Sequence, residues 1–237
     1  MNRLELFWDR GGKEEKICFE MRRMINAGYT GRDQESLRKH IEELKREGVS
    51  APDSTPTAYE VITKLLYFDE EIEVVGERTS GEAEYVLLCG DGDVFVAVGS
   101  DHTDRELESV SIIKSKQLCP NLMSKRVWNL KEVRRDWDEI LLQSWVEDER
   151  GERLLYQRAP LSAILSPEEL MEFVREKLDD GDLRGVAIFS GTVAILPEKI
   201  HFSPYFEAEL LNPKTGQRLS CAYRVRNLNY LRGSHGH

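Results

Sequence analysis

The stretch "GEAEYVLLCGDGDVFVAVGSDHTDRELE", residues 81–108, decides how the chain is read. Two apolar runs, "AEYVLLC" and "VFVAVG", flank a polar "GDGD". Asp91-Gly92 is a strong signal for a two-residue hairpin turn. With that turn, Gly90 faces Asp93, Glu84 faces Gly99 and Glu82 faces Asp101. Side chains alternate along a strand, so Glu82 and Glu84 share one face, roughly 6–7 Å apart. Directly opposed side chains of an antiparallel pair lie ~4.5–5.5 Å apart at Cβ and point the same way. Glu82, Glu84 and Asp101 therefore converge on one patch, and Gly99 is expected to leave open space opposite Glu84.

Three anions on an otherwise apolar face repel one another unless they are solvated or neutralised. Two readings follow: a solvated strand end, or a cation site. Hard oxygen ligands in a partly open site suit Mg²⁺, with Mn²⁺ or Ca²⁺ as alternatives. Asp104, Glu106 and Glu108 are rival ligands on a helix-like segment. His102 points to the opposite face of the strand and reads as structural.

Outward from this hairpin, residues from about 57 onward run as short β segments separated by turn residues. "EIEVV", "VAIFSG" and "YFEAELLN" are examples. One helix interrupts them, "SPEELMEFVREKL", with Ser166 as N-cap, Pro167 at N1 and Glu169 at N3. Before residue 57 come a strand pair around Gly11-Gly12, a helix capped by Asp33 with Leu37, Ile41 and Leu44 at helical spacing, and a connector with two prolines. The expected organisation is a small α/β N-terminal unit, 1–56, and a mainly antiparallel β domain, 57–237.

The chain has 237 residues and a net charge of −10, which argues against general nucleic-acid binding. No apolar run approaches the ~20 residues of a membrane span, and the first residues lack the apolar core of a signal peptide. Cys18, Cys89, Cys119 and Cys221 are scattered without a CxxC pair. They read as free thiols of a cytoplasmic protein.

Three further features carry chemistry only in company. His40 and Glu43 are helix neighbours at i and i+3, and a carboxylate beside an imidazole raises its basicity; alone, the pair is equally a charged helix surface. Lys114, in "SIIKSKQLCP", follows what reads as a strand leading from the carboxylates, and Lys116 on the same face competes for its role. "FSGTVA", 189–194, offers Gly191 for close backbone approach and the Thr192 hydroxyl for a substrate carboxylate.

Taken in order, these pieces resemble the fumarylacetoacetate hydrolase superfamily over residues 27–228. The resemblance places His40 and Glu43 on its His-x-x-Glu, Glu82 and Glu84 on its Glu-x-Glu, and Asp101 in "DHTDRE" on its third metal ligand. Thr103 and Arg105 fall in register, with Glu106 where the family has Asp. Lys114-Ser115 matches the active-site lysine segment, and Gly191-Thr192 matches the family's Gly-Thr. In "GERLLYQ", Tyr156 stands where the family has Arg. After Thr192 the chain runs Val-Ala-Ile-Leu, departing from the family's Pro-x-Gly-Val-Gly.

The resemblance implies a mixed, mainly β fold of β-roll type, a bound Mg²⁺ or Mn²⁺ and a homodimer. It implies Glu82, Glu84 and Asp101 as metal ligands, His40, Glu43 and Lys114 as catalytic residues, and Arg105, Gly191 and Thr192 as substrate-binding residues. The implied activity is hydrolytic C–C cleavage of an acylpyruvate-like β-diketo or 2-oxo acid. The alternatives are decarboxylation of a 2-oxo diacid, dehydration or isomerisation of a 2-keto-3-deoxy acid, and binding of an oxo acid without catalysis.

Overall fold

The computed structural model describes residues 2–10, 13–35, 37 and 54–231. His40 and Glu43 lie outside the described residues. So do Ile41, Leu44 and Gly48 of the expected N-terminal helix. Its start is described: Leu37 N–H donates to the Asp33 carbonyl at 3.1 Å.

The protein is mainly β and has a fumarylacetoacetate hydrolase-like β-roll. The strands are β1 Asn2–Arg10, β2 Lys13–Met21, β3 Arg23–Gly28, β4 Thr57–Val61, β5 Leu66–Tyr67, β6 Glu71–Val74, β7 Thr79–Ser80, β8 Ala83–Cys89 and β9 Val94–Asp101. They continue as β10 Thr103–Asp104, β11 Asn121–Met123, β12 Arg126–Asn129, β13 Leu141–Glu147, β14 Arg153–Pro160, β15 Val186–Phe189, β16 Tyr205–Leu211 and β17 Arg218–Asn227. A ten-stranded sheet runs β2-β1-β12-β9-β8-β15-β3-β4, with β11 and β5 attached at β9. A five-stranded sheet, β14-β13-β16-β17-β6, packs against it.

The expected register holds. Glu84 pairs with Gly99 and Cys89 with Val94 across β8 and β9. Gly90 N–H donates to the Asp93 carbonyl at 2.9 Å, and Asp101 N–H donates to the Glu82 carbonyl at 3.2 Å. Glu82 thus faces Asp101. β8 is buried along its whole length, because both faces are covered. Tyr85, Leu87, Val96 and Val98 pack toward the five-stranded sheet with Trp137, Leu142 and Phe206. Val86, Leu88 and Ala97 face the other way, onto Leu4, Leu6, Phe19 and Met24. Each such aliphatic side chain contributes about 1.5–3 kcal/mol by leaving water.

Two expectations need correction. β1, β2 and β3 belong to the same sheet as β8 and share a core with it, so a boundary at residue 56 does not separate two sheets. The cause is long-range parallel pairing, β1 with β12 and β3 with β15. Gly99 leaves no open space: a Cβ there would lie 2.5 Å from the Leu122 carbonyl oxygen, because β11 crosses that point. The helix Pro167–Lys177 forms as expected, with a Ser166–Glu169 capping box.

Candidate metal centre

Glu82, Glu84 and Asp101 each present a carboxylate oxygen, all within 4.8 Å of one another. Glu84 and Asp101 are buried, and Glu82 is nearly so. Two cations face them. Lys116 Nζ contacts Asp101 Oδ2, lies 3.3 Å from Glu82 Oε2 and donates to Thr103 Oγ1 at 3.4 Å. Arg105 Nη1 lies 3.2 Å from Glu82 Oε1 and 2.8 Å from Glu108 Oε2, while its Nε donates to Ser80 Oγ at 2.7 Å.

These neighbours split three chemically similar acids. Burial works to raise Glu82, but Arg105 and Lys116 override it and push the carboxyl down to about 2. Glu84 is raised well above the ordinary range by burial, then by the charges of Asp101 and Glu82. Asp101 is also raised, by burial, with Lys116 opposing. Burial lowers the Lys116 ammonium, but Asp101 and Glu82 more than reverse this and raise it.

The donor set fits a hard divalent cation. All three groups offer oxygen, as Mg²⁺ and Mn²⁺ require. Asp101 is buried with Lys116 on its Oδ2 and the amide of buried Asn26 beside it, and no hydrogen bond reaches its Oδ1. Acceptors left unsatisfied in a buried site are costly unless a ligand completes them.

Of the rival acids, Asp104 and Glu106 are engaged elsewhere, whereas Glu108 shares Arg105 with Glu82 and lies 4.0 Å from Lys116 Nζ. Asp104 caps the short helix Arg105–Glu108, accepting from Leu107 N–H at 2.8 Å. Glu106 lies 3.8 Å from Arg78, and Glu108 pairs with Arg105. His102 points away from the cluster, with Nδ1 2.9 Å from the Tyr223 hydroxyl. Burial lowers it to about 3, so it is a neutral structural imidazole.

Lys114 requires correction. Residues Ile112–Leu118 form a helix, not a strand. Lys114 is exposed on it, and Lys116 is the buried lysine that reaches the carboxylates. In a strand the two would share a face. At 3.6 residues per turn they point apart, so only one can face the cluster.

The remaining candidates sit at the cluster but are committed internally. Gly191 N–H donates to Glu84 Oε2 at 2.9 Å. Its φ of +80° permits this, and a Cβ there would lie 2.5 Å from Thr30 Oγ1. Thr192 Oγ1 donates to the Ala83 carbonyl at 2.8 Å and accepts from Gln157 Nε2 at 2.7 Å. Gln157 also accepts from Ala83 N–H at 3.1 Å and donates to the Val193 carbonyl at 2.6 Å. It thereby ties the start of β8 to the Gly191–Val193 loop. None of the four cysteines is paired. Burial pushes the thiols of Cys89, Cys119 and Cys221 up to about 12, which makes them poor nucleophiles.

The cluster opens into a cavity of ≈690 Å³ lined by Glu82, Glu84, Lys116, Tyr29, Tyr59 and Arg158 among others. Sequence reasoning missed Tyr29. It has a left-handed backbone, φ 55°, and its phenol is raised by burial, then by Tyr59 and Glu108. A left-handed non-glycine residue is a marker of a constrained site, but nothing in the sequence around Tyr29 announces that conformation.

The fold is shared with solved structures. Crystal structures of Cg1458 match at 14% identity with a TM-score of 0.62, covering 92% of this chain and 83% of that one. Cg1458 with inhibitor matches at 15% and 0.63, covering 92% and 84%. A hexagonal crystal form of 2-keto-3-deoxyarabinonate dehydratase matches at 11% and 0.65, covering 92% and 86%. No curated protein matches the sequence significantly. No helix among the described residues is long and apolar enough to cross a membrane. A family described as "Protein of unknown function (DUF2848)" matches residues 27–223, most of the chain, and the protein belongs to that family.

Proposed function

We propose that the protein is a divalent-metal-dependent enzyme of the fumarylacetoacetate hydrolase type that cleaves a C–C bond in a small acylpyruvate-like acid by hydrolysis. The observation that carries this is the convergence of Glu82, Glu84 and Asp101 beside Lys116 at the wall of a cavity. A divalent ion bound there supplies Lewis-acid polarisation of the substrate's carbonyl oxygen. Mg²⁺ or Mn²⁺ is the ion we assign, held by those three carboxylates.

The chain's own groups do the rest. Arg105 holds Glu82 ionised and oriented, and the Gly191 amide holds Glu84. The Lys116 ammonium places positive charge beside the substrate oxygen that gains negative charge as the bond breaks. Glu84, raised by its burial, would hold the ion in its carboxylate form. His40, aided by Glu43, is the residue we assign to water activation, on its sequence position alone. A cytoplasmic homodimer belongs to the same proposal.

A second reading has a specific observation behind it. The fold is that of a 2-keto-3-deoxy acid dehydratase, and the same acid cluster suits loss of water from such a substrate. Assaying the Mn²⁺-loaded protein against acylpyruvates, oxaloacetate and 2-keto-3-deoxy sugar acids separates the readings. Turnover of acylpyruvates that is lost in His40→Ala while metal binding is kept supports hydrolysis. Turnover of the deoxy acids alone supports dehydration. Turnover of none, in protein shown to bind metal, overturns the enzyme reading.

A further inference from the structure

Beyond the acid cluster, the cavity continues. A second cavity of ≈870 Å³ shares Tyr29, Tyr59, Glu108 and Ile112 with the first, so the two are contiguous. Val110, Ile113, Ile200 and Phe202 line this outer chamber. All four are exposed among the described residues, Val110 at 82%. Single exposed apolar residues need no explanation, but several gathered around one opening do. The Arg78 guanidinium lies over the Phe202 ring, 5.5 Å from its centroid. Phe202 and Ile200 both line this chamber.

Size points the same way. Cavities of about 300–1,000 Å³ each hold a drug-sized molecule. A three-carbon oxo acid chelated at the carboxylates fills only the inner end of such a space. Glu82, Glu84 and Lys116 stand at the inner end, and the outer chamber gathers Ile113, Ile200 and Phe202 on a lining that also carries Arg78, Lys199 and Glu108. Tyr29 and Tyr59, aromatic with a polar tip, stand between them.

We infer that the substrate is an oxo acid bearing an apolar tail, alkyl or aryl, that lies past Tyr29 and Tyr59 against Ile112, Ile113, Ile200 and Phe202. The inference rests on the oxo-acid reading of the metal centre and adds the class of the substrate's far end. It makes Ile113 and Phe202 specificity-determining residues, although neither side chain is among the groups that contact the carboxylates.

The test is calorimetric affinity of the Mn²⁺-loaded protein for pyruvate, 2-oxobutyrate, 2-oxohexanoate and 2-oxooctanoate. The expected result is a gain of about threefold per added methylene. Phe202→Ala and, separately, Ile113→Asn should flatten that gain, lowering 2-oxooctanoate affinity by roughly tenfold. Both positions are exposed, so neither substitution endangers folding. If pyruvate binds and the longer acids bind no tighter, the inference is overturned and the oxo-acid reading stands. If no member binds although Mn²⁺ does, the oxo-acid reading fails and the inference falls with it. If the variants change oligomeric state and leave the affinity series alone, the collar is an interface between copies and the inference is overturned.

Discussion

The two faces of β9, extended by His102 just after it, differ in the chemistry they bury. Ser100 and His102 turn toward the five-stranded sheet, where the Tyr223 hydroxyl lies 2.8 Å from Ser100 Oγ and 2.9 Å from His102 Nδ1. Burial lowers His102 to about 3 and raises the Tyr223 phenol well above its usual value. Every group on that face is neutral. Asp101, between them in sequence, turns the other way into a cluster of three carboxylates, a lysine and an arginine. The same strand is equally buried on both sides. One side joins neutral groups to one another, with His102 Nε2 left unpartnered, and the other gathers charged groups, with Lys116 on Asp101 Oδ2 and no hydrogen bond to Oδ1. Burial alone therefore does not mark the site. What marks it is buried charge, three carboxylates brought together with a lysine and an arginine.

The sharpest way to break this comparison is Lys116→Met. Removing one partner of a buried ion pair costs about 3–5 kcal/mol, because the remaining charge is left uncompensated. The account expects a loss of that size in metal-free protein, measured by denaturant unfolding, and substantial recovery when Mn²⁺ is added. A loss below about 1 kcal/mol would mean that the lysine is not neutralising the acids.

On the opposite face, Tyr223→Phe leaves Ser100 and His102 without their shared partner, at a cost of about 1–3 kcal/mol. Mn²⁺ affinity measured by calorimetry should stay unchanged. A strong drop in metal affinity would show that the two faces are coupled and that the contrast drawn here is false.

Titration sharpens the comparison further. Glu84 must lose a proton to act as a ligand, so Mn²⁺ affinity should rise with pH, by up to about tenfold per unit below its raised value. The linkage in metal-free protein runs oppositely. A carboxyl raised in the folded state contributes stability below its unfolded value of about 4.3, and this is lost as pH rises through the folded value. Asp101 acts in the same direction, whereas Glu82, lowered to about 2, contributes above the ordinary range and loses its contribution only in strong acid. Metal-free protein should therefore lose stability from mild acid toward neutrality, and Glu84→Gln should flatten that slope in a thermal melt followed against pH.

The smallest effect belongs to Lys114→Ala. An exposed lysine away from the cluster should change stability by no more than about 0.5 kcal/mol and leave Mn²⁺ binding intact. Loss of turnover in this variant would return the catalytic role to Lys114.

The comparison also shows what was legible in the sequence. Asp91-Gly92 fixes a two-residue turn, and period-two alternation then carries Glu82 opposite Asp101 without reference to the rest of the fold. The same alternation sends His102 to the quiet face. Ser166 and Glu169 likewise announce a helix locally. The resemblance matches Lys114-Ser115 to the family's lysine segment, and a strand would put Lys116 on the same face; the docked segment is a helix, which turns Lys116 and not Lys114 to the cluster. The space expected at Gly99 is filled by the backbone of β11, which comes from a different part of the chain. Tyr29, Asn26 and Gln157 reach the cluster only through the pairing of β3 with β15 and the meeting of two sheets, and no local pattern encodes such contacts. Local geometry places the acids, and long-range packing decides what surrounds them.

The central claim is that Glu82, Glu84 and Asp101 hold a divalent metal, and calorimetric titration of metal-free protein with Mn²⁺ tests it most directly. The account predicts saturable one-site binding that is weakened by roughly a hundredfold or more in Asp101→Asn, with both proteins folded by circular dichroism. A wild-type protein that binds no Mn²⁺ or Mg²⁺, or an Asp101→Asn variant that binds as tightly as wild type, would contradict it.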